Sequence, residues 1–129
     1  MKKKVGLYAG HGFSTDGKWD SGTTYNGKTE AAYMLAITKS AVKHLRASGV
    51  TMYTDADAGN NINMIKQVEM SNAKGVDIHV ALHCDYAGAP TGTLPLYVSP
   101  EGYKLANAIN KSVMPAMKIG TRGLTKRTD

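Results

Sequence analysis

Val5-Gly-Leu-Tyr-Ala-Gly-His-Gly12 decides how this chain is read. Val5, Leu7 and Ala9 alternate with Gly6 and Tyr8, the two-residue period of a short strand. Gly10 and Gly12 flank His11 and allow a sharp backbone turn, so the imidazole can stand at the strand's carboxyl end. In open α/β sheets, ligands and chemistry collect at that edge.

Downstream, residues 10–28 form a polar, Gly-rich connection read as free of secondary structure, a type of long loop that is usually functional. Asn26-Gly27 closes it with a turn signal. A helix is predicted over residues 29–47, where Ala31, Leu35, Thr38, Val42 and Leu45 make one apolar face and Lys39, Lys43 and Arg46 face water. Arg46 and Gly49 suit its end. Residues 50–54 read as a second strand. Asn60 or Asn61 is placed to cap a helix through Ala73, with Ile62, Ile65, Val68 and Met70 as its apolar contacts and Gly75 as its stop. The third strand, Val76–Leu82, has the near-continuous apolar character of a buried parallel strand. His83-Cys84-Asp85 follows, then a loop over Tyr86–Gly92. Thr93–Val98 reads as a fourth strand, irregular at Pro95. Ser99-Pro100-Glu101 is a helix start; that helix should run to about Val113 and end or kink at Pro115. Lys118–Asp129 shows no clear element. The order of strands and helices predicts an α/β domain, a mostly parallel twisted sheet flanked by helices in three layers.

The 129 residues suit one domain, and 42% apolar content with a mean hydropathy of −0.31 describes an ordinary globular chain. No run approaches the ~18 apolar residues of a membrane span, so a membrane is not expected as a partner. Met1-Lys-Lys-Lys4 resembles the start of an export signal, but the apolar stretch after it is too short for one. One cysteine, Cys84, excludes an internal disulfide. The net charge of +6 and a pI near 9.4 favour polyanions in general. The charge gathers in Lys2–Lys4 and in Lys118, Arg122, Lys126 and Arg127, with no RNA-binding aromatic pattern and no zinc-finger spacing. A solvated basic face, and no nucleic-acid partner, is the reading.

Three groups stand at equivalent edges of the predicted sheet: His11 after strand one, Glu30 at the first helix, His83 after strand three. Two imidazoles and one carboxylate are the ligand set of many catalytic zinc sites. Such a set leaves a net positive centre that polarises carbonyls and acidifies water. Their separations are too wide to be diagnostic, so ligand set and unrelated loop-edge polar residues both remain open at this point. Asp20 could orient His11 or form an Asx-turn with Ser21-Gly22, and Asp85 could orient His83. His79 reads as a structural histidine, His44 as solvated, and Cys84 as a buried inert thiol. Trp19 suits either a sugar ring or packing across its loop. There is no P-loop, Gly-x-Ser-x-Gly elbow or dinucleotide fingerprint.

Taken in order, Gly10-His11-Gly12, Asp20-Ser21-Gly22, Gly27-Lys28-Thr29-Glu30, Ser71-Asn72-Ala73, Gly75-Val76-Asp77, Leu82-His83-Cys84-Asp85 and Arg122-Gly123 resemble the zinc-dependent N-acetylmuramoyl-L-alanine amidases, the type-3 peptidoglycan amidases of endolysins and autolysins. The resemblance spans essentially the whole chain. It implies a zinc ion held by His11, Glu30 and His83, with Asp20 and Asp85 behind the histidines. It implies hydrolysis of the amide between the lactyl group of N-acetylmuramic acid and L-alanine of the stem peptide. Ala81 and Asp85 replace the Ser and Asn common in the family. The family's second glutamate, its general base, follows the Arg-Gly segment in a late strand; here no glutamate follows Glu101, so it is expected beyond Asp129. Residues 1–129 are therefore expected to be a single, incomplete amidase domain without its last strand and helix. The competing expectation is a non-catalytic fragment that holds zinc and cell wall. Peptidoglycan and anionic wall polymers are the expected partners, and an open sheet edge predicts dimerisation or strand exchange. The expected location is synthesis in the cytoplasm and action at the bacterial wall, as an endolysin or as a domain of an exported protein.

Overall fold

A computed structural model describes residues 2–86, 88 and 91–128, which fall into two compact units, Met1–Tyr86 and Ala87–Asp129. The loop predicted over Tyr86–Gly92 includes residues 87, 89 and 90, and the predicted tail ends at residue 129; these positions, like residue 1, lie outside the described residues.

The first unit begins with β1 (Lys4–Ala9). Two small antiparallel hairpins follow, β2 (Gly12–Phe13) with β3 (Trp19–Asp20) and β4 (Thr24–Tyr25) with β5 (Lys28–Thr29). Then come α1 (Glu30–Ala47), β6 (Thr51–Tyr53), a 3-10 turn (Ala56–Ala58), α2 (Met64–Lys74) and β7 (Ile78–Leu82). The long connection expected to lack structure is thus built of hairpins. Its Asn26-Gly27 turn has both residues at positive φ, 47° and 71°, the geometry that two-residue hairpin turns require.

Strands β6, β1 and β7 form one parallel sheet in that order. On one face Leu7, Val42 of α1 and Met52 bury together, with Val5, Ala41, Val50, Val80 and Leu82 packed around them. Each such side chain contributes roughly 1.5–3 kcal/mol when fully buried. On the other face lies α2: fully buried Tyr8 meets Ser71 Oγ at 2.9 Å through its hydroxyl. Helix, sheet and helix make three layers within this unit. The register aligns Ala9 with Leu82, and the Gly10 N–H donates to the Leu82 carbonyl at 2.7 Å. His11 and His83 therefore leave the sheet side by side.

Caps fix the helix ends. Thr29 Oγ1 accepts from the Ala32 N–H at 3.2 Å, and Gly75 closes α2 at φ 60°. Helix α2 departs from expectation in two ways. Its cap is Asn63, whose Oδ1 accepts from the Lys66 N–H, because the Asn61 side chain is turned inward. Its buried face is polar, Gln67 and Ser71, whereas Ile65 and Val68 are exposed. Strand β7 is parallel as expected but not buried on both faces, since His79 and Ala81 are exposed.

The second unit contains β8 (Gly92–Thr93), β9 (Leu96–Tyr97), α3 (Pro100–Met117), β10 (Gly120–Thr121) and β11 (Thr125–Lys126). Strand β8 pairs with β10 and β9 with β11, both parallel. The single strand expected over Thr93–Val98 is split at Leu94-Pro95, and the Pro95 carbonyl accepts from the Thr125 N–H at 3.0 Å. The tail expected to be featureless supplies both partner strands. Ser99 Oγ caps α3 by accepting from the Gly102 N–H. The helix does not stop at Val113 but runs through Pro115 to Met117. A proline in the last turn removes one hydrogen bond, and the turn is closed instead by Lys118 N–H to Pro115 C=O and Ile119 N–H to Met114 C=O, the Schellman pattern. Among the described residues no helix is long and apolar enough to cross a membrane.

Candidate metal centre

His11, Glu30 and His83 meet in the first unit. One ligand atom from each lies within 4.8 Å of the others. His11 Nε2 stands 3.2 Å from Glu30 Oε2, and His83 Nδ1 stands 3.0 Å from Glu30 Oε1. The two imidazoles meet edge to face, 5.1 Å between centroids at 83°.

Each ligand is placed by a local feature. Glu30 is the first residue of α1, only 3% exposed, and its carboxylate accepts the Thr23 N–H at 3.1 Å and the Cys84 N–H at 3.0 Å. A carboxylate held by two backbone donors is fixed in orientation and partly compensated for its burial. His11 sits at φ 60°, a left-handed conformation that costs a residue with a Cβ roughly 1–2 kcal/mol. Such strain persists only where surroundings over-determine it. Close approach also needs missing side chains: a Cβ on Gly10 would stand 2.5 Å from His83 Nδ1, and one on Gly22 would stand 2.6 Å from Glu30 Oε2.

Asp20 serves both uses considered for it. Its Oδ2 lies 3.0 Å from His11 Nδ1, and its Oδ1 accepts from the Gly22 N–H at 2.9 Å. The Gly22 hydrogen bond first, and His11 second, hold its carboxyl below the usual carboxylate range. Asp85 lines a cleft beside Glu30 and Tyr86. Cys84 is exposed rather than buried; partial desolvation, then the charges of Glu30 and Asp85, push its thiol up. His79 contacts Ser71 Oγ through Nδ1 at 2.8 Å and stacks on Tyr8 at 4.9 Å, which keeps it in the sheet. His44 is exposed on α1. Trp19 packs edge to face on Phe13 at 5.3 Å yet stays 55% exposed. Glu101 lies in the first turn of α3.

A buried polar group beneath the site was missed by the sequence reading. Asn61, 1% exposed, donates through Nδ2 to the Gly10 carbonyl at 3.3 Å and to the Ala31 carbonyl at 3.0 Å. Its main-chain carbonyl accepts the Phe13 N–H at 3.1 Å. One side chain thus ties the residue before His11 to the residue after Glu30. Gln67 Nε2 donates to the Ala9 carbonyl and to Asp55 Oδ2, both at 2.9 Å. Asp55 also accepts from the Ala9 and Ile62 N–H groups; burial pushes its carboxyl up, and these donors pull it back. The only sequence signal was Asn60-Asn61 after Gly59, which reads equally as a cap.

The donors suit a metal of intermediate softness. Two imidazole nitrogens and one carboxylate oxygen converge, and His11 has its far nitrogen on a carboxylate, the arrangement that fixes tautomer and ring orientation in zinc sites. The residues present therefore fit a zinc ion.

The N-acetylmuramoyl-L-alanine amidase family model matches residues 5–128. The probable autolysin PH of Staphylococcus aureus is 30% identical over 145 aligned positions, covering 98% of this chain and 28% of that protein. The chain thus spans a little over a quarter of the length of that curated relative. Among solved structures, the N-acetylmuramoyl-L-alanine amidase AmiC2 of Nostoc punctiforme superposes with a TM-score of 0.82 at 25% identity, over 98% of this chain and 70% of that one. The catalytic domain of CwlV from Bacillus (Paenibacillus) polymyxa var. colistinus gives 0.83 at 20% identity, over 98% and 71%; at that identity the likeness concerns the α/β fold. With a family match along nearly its full length, this chain belongs to the N-acetylmuramoyl-L-alanine amidase family.

Proposed function

We propose that this chain is the zinc-holding unit of a peptidoglycan amidase that hydrolyses the amide between the lactyl group of N-acetylmuramic acid and L-alanine, with His11, Glu30 and His83 as the metal ligands. One observation carries the reading: a buried carboxylate clamped by two backbone N–H groups lies between two imidazole nitrogens at 3.2 and 3.0 Å. A zinc ion bound there supplies Lewis acidity, which polarises the amide carbonyl and makes water a stronger acid. The chain's own residues do the positioning. Asp20 holds the proton at His11 Nδ1 and turns Nε2 toward the centre. Thr23 and Cys84 hold both Glu30 oxygens inward. Asp85 is assigned the outer position behind His83.

In this reading residues 1–129 act as one domain at the bacterial wall, and peptidoglycan is the substrate. The excess of basic side chains, +6 overall, favours anionic wall polymers near that substrate. The test is mass-spectrometric product analysis of purified cell walls treated with the zinc-loaded chain. With no glutamate after Glu101 to act as general base, turnover by this chain should be weak; peptide that is released should carry a free L-alanine amino terminus and vanish with His83→Ala. New reducing ends on the glycan would contradict the bond assignment. A chain that holds zinc and releases no peptide would instead be a wall-binding fragment.

A further inference from the structure

Beside the metal centre, within the first unit, a cleft of about 140 Å³ is lined by Thr23, Tyr25, Lys28, Tyr33, Asp85 and Tyr86, with Glu30 and Cys84 at one side. Its aromatic walls are organised. Tyr25 and Tyr86 stack at 4.9 Å and 27°, and the Lys28 ammonium lies 5.6 Å from the Tyr33 ring centre. Tyr25 and Tyr86 are 57% and 66% exposed. Lysine over an aromatic face is held by a cation–π attraction, which limits its reach and sets where its charge is presented.

We propose that this cleft is the subsite for the peptide side of the substrate, and that Lys28 selects an acidic residue there by its free carboxylate. The inference rests on the amidase reading and adds its specificity. Three observations converge on it. The cleft shares Glu30 with the metal centre, so a chain segment entering it adjoins the bond positioned there. Its volume suits one medium-sized residue, and tyrosine rings offer flat apolar walls with hydroxyls for peptide groups. Among the described lining residues Lys28 is the cationic side chain, and Glu30 faces the histidines. An ammonium recognises a carboxylate through charge-assisted hydrogen bonds, and the amidated form of the same residue loses that term.

The test measures binding, so that it stands apart from turnover. Two peptides serve as probes: L-alanyl-γ-D-glutamyl-L-lysine with its glutamyl α-carboxylate free, and the same peptide with that carboxylate amidated. Calorimetric titration of the zinc-loaded chain should show the carboxylate form binding about tenfold more tightly. Lys28→Met should abolish the preference by weakening only the carboxylate form, with zinc content unchanged. Equal affinities in the wild type, no binding of the carboxylate peptide at low millimolar concentration, or a preference that survives Lys28→Met would each overturn the proposal. Wall hydrolysis at the lactyl amide that proceeds despite such a result would sink the subsite and leave the amidase reading standing.

Discussion

Replacing Asn61 with leucine removes the two side-chain bonds that join the His11 and Glu30 segments, at nearly constant volume. At about 0.5–1.5 kcal/mol net per hydrogen bond, and with two carbonyls left buried, the zinc-free protein should lose roughly 2–4 kcal/mol of stability. That is a large part of the ~5–15 kcal/mol typical of a domain, yet compatible with folding. The metal effect is a separate quantity. With Gly10 released, His11 can relax from φ 60° and recover roughly 1–2 kcal/mol of strain. Zinc binding must then restore the strained conformation. At 1.4 kcal/mol per factor of ten, zinc affinity should fall about 5- to 30-fold. Competition with a chromophoric chelator measures the affinity, and urea unfolding of the zinc-free protein measures stability. Ser71→Ala is the control: it removes the contacts to Tyr8 and His79, so it should lower stability and leave zinc affinity unchanged. If Asn61→Leu is destabilised and still binds zinc like the wild type, Asn61 does not position the site.

Two further outcomes are expected. Lys118 closes α3 at φ 54°, where glycine has no Cβ penalty, so Lys118→Gly should stabilise the chain by up to about 1 kcal/mol in urea unfolding; a loss of stability would show that the Lys118 side chain matters more than its backbone. Although His79 is exposed as a residue, partial desolvation of its ring stacked on Tyr8 pushes the imidazole below its usual value, so the unfolded chain binds the proton more readily. Stability from this group is therefore complete above pH ~6.5 and falls as pH drops through that value; His79→Gln should flatten that part of the profile in the zinc-free protein, and an unchanged profile would refute the assignment.

Strong local signals made part of this fold legible. Thr29, Gly49 and Gly75 mark helix ends by chemistry that works over three or four residues, and Asn26-Gly27 dictates its turn. The ordered motifs around His11, Glu30 and His83 identified the candidate ligands, which the parallel register of Ala9 and Leu82 brings together. What stayed hidden depends on tertiary demand. Helix α2 carries Ile65 and Val68, so hydrophobic period points them inward. The backbone between Ala9 and Gly12 leaves the sheet ladder, and its carbonyls need donors. Gln67 and Asn61 supply them, and the apolar residues turn outward. Strands β8 to β11 span two residues each, too short for any period to register. Pro115 misled because a helix-breaking residue in the last turn costs only the bond it cannot donate.

One zinc ion held by His11, Glu30 and His83 underlies every chemical role proposed for this chain. Its most direct measurement is metal content by plasma emission spectroscopy on the protein dialysed against zinc, alongside His11→Ala, Glu30→Gln and His83→Ala. One zinc per wild-type chain is expected, with its loss in each variant while circular dichroism shows the fold retained. A wild-type chain without stoichiometric zinc, or variants that keep it, would rule out a metal site built on these three residues.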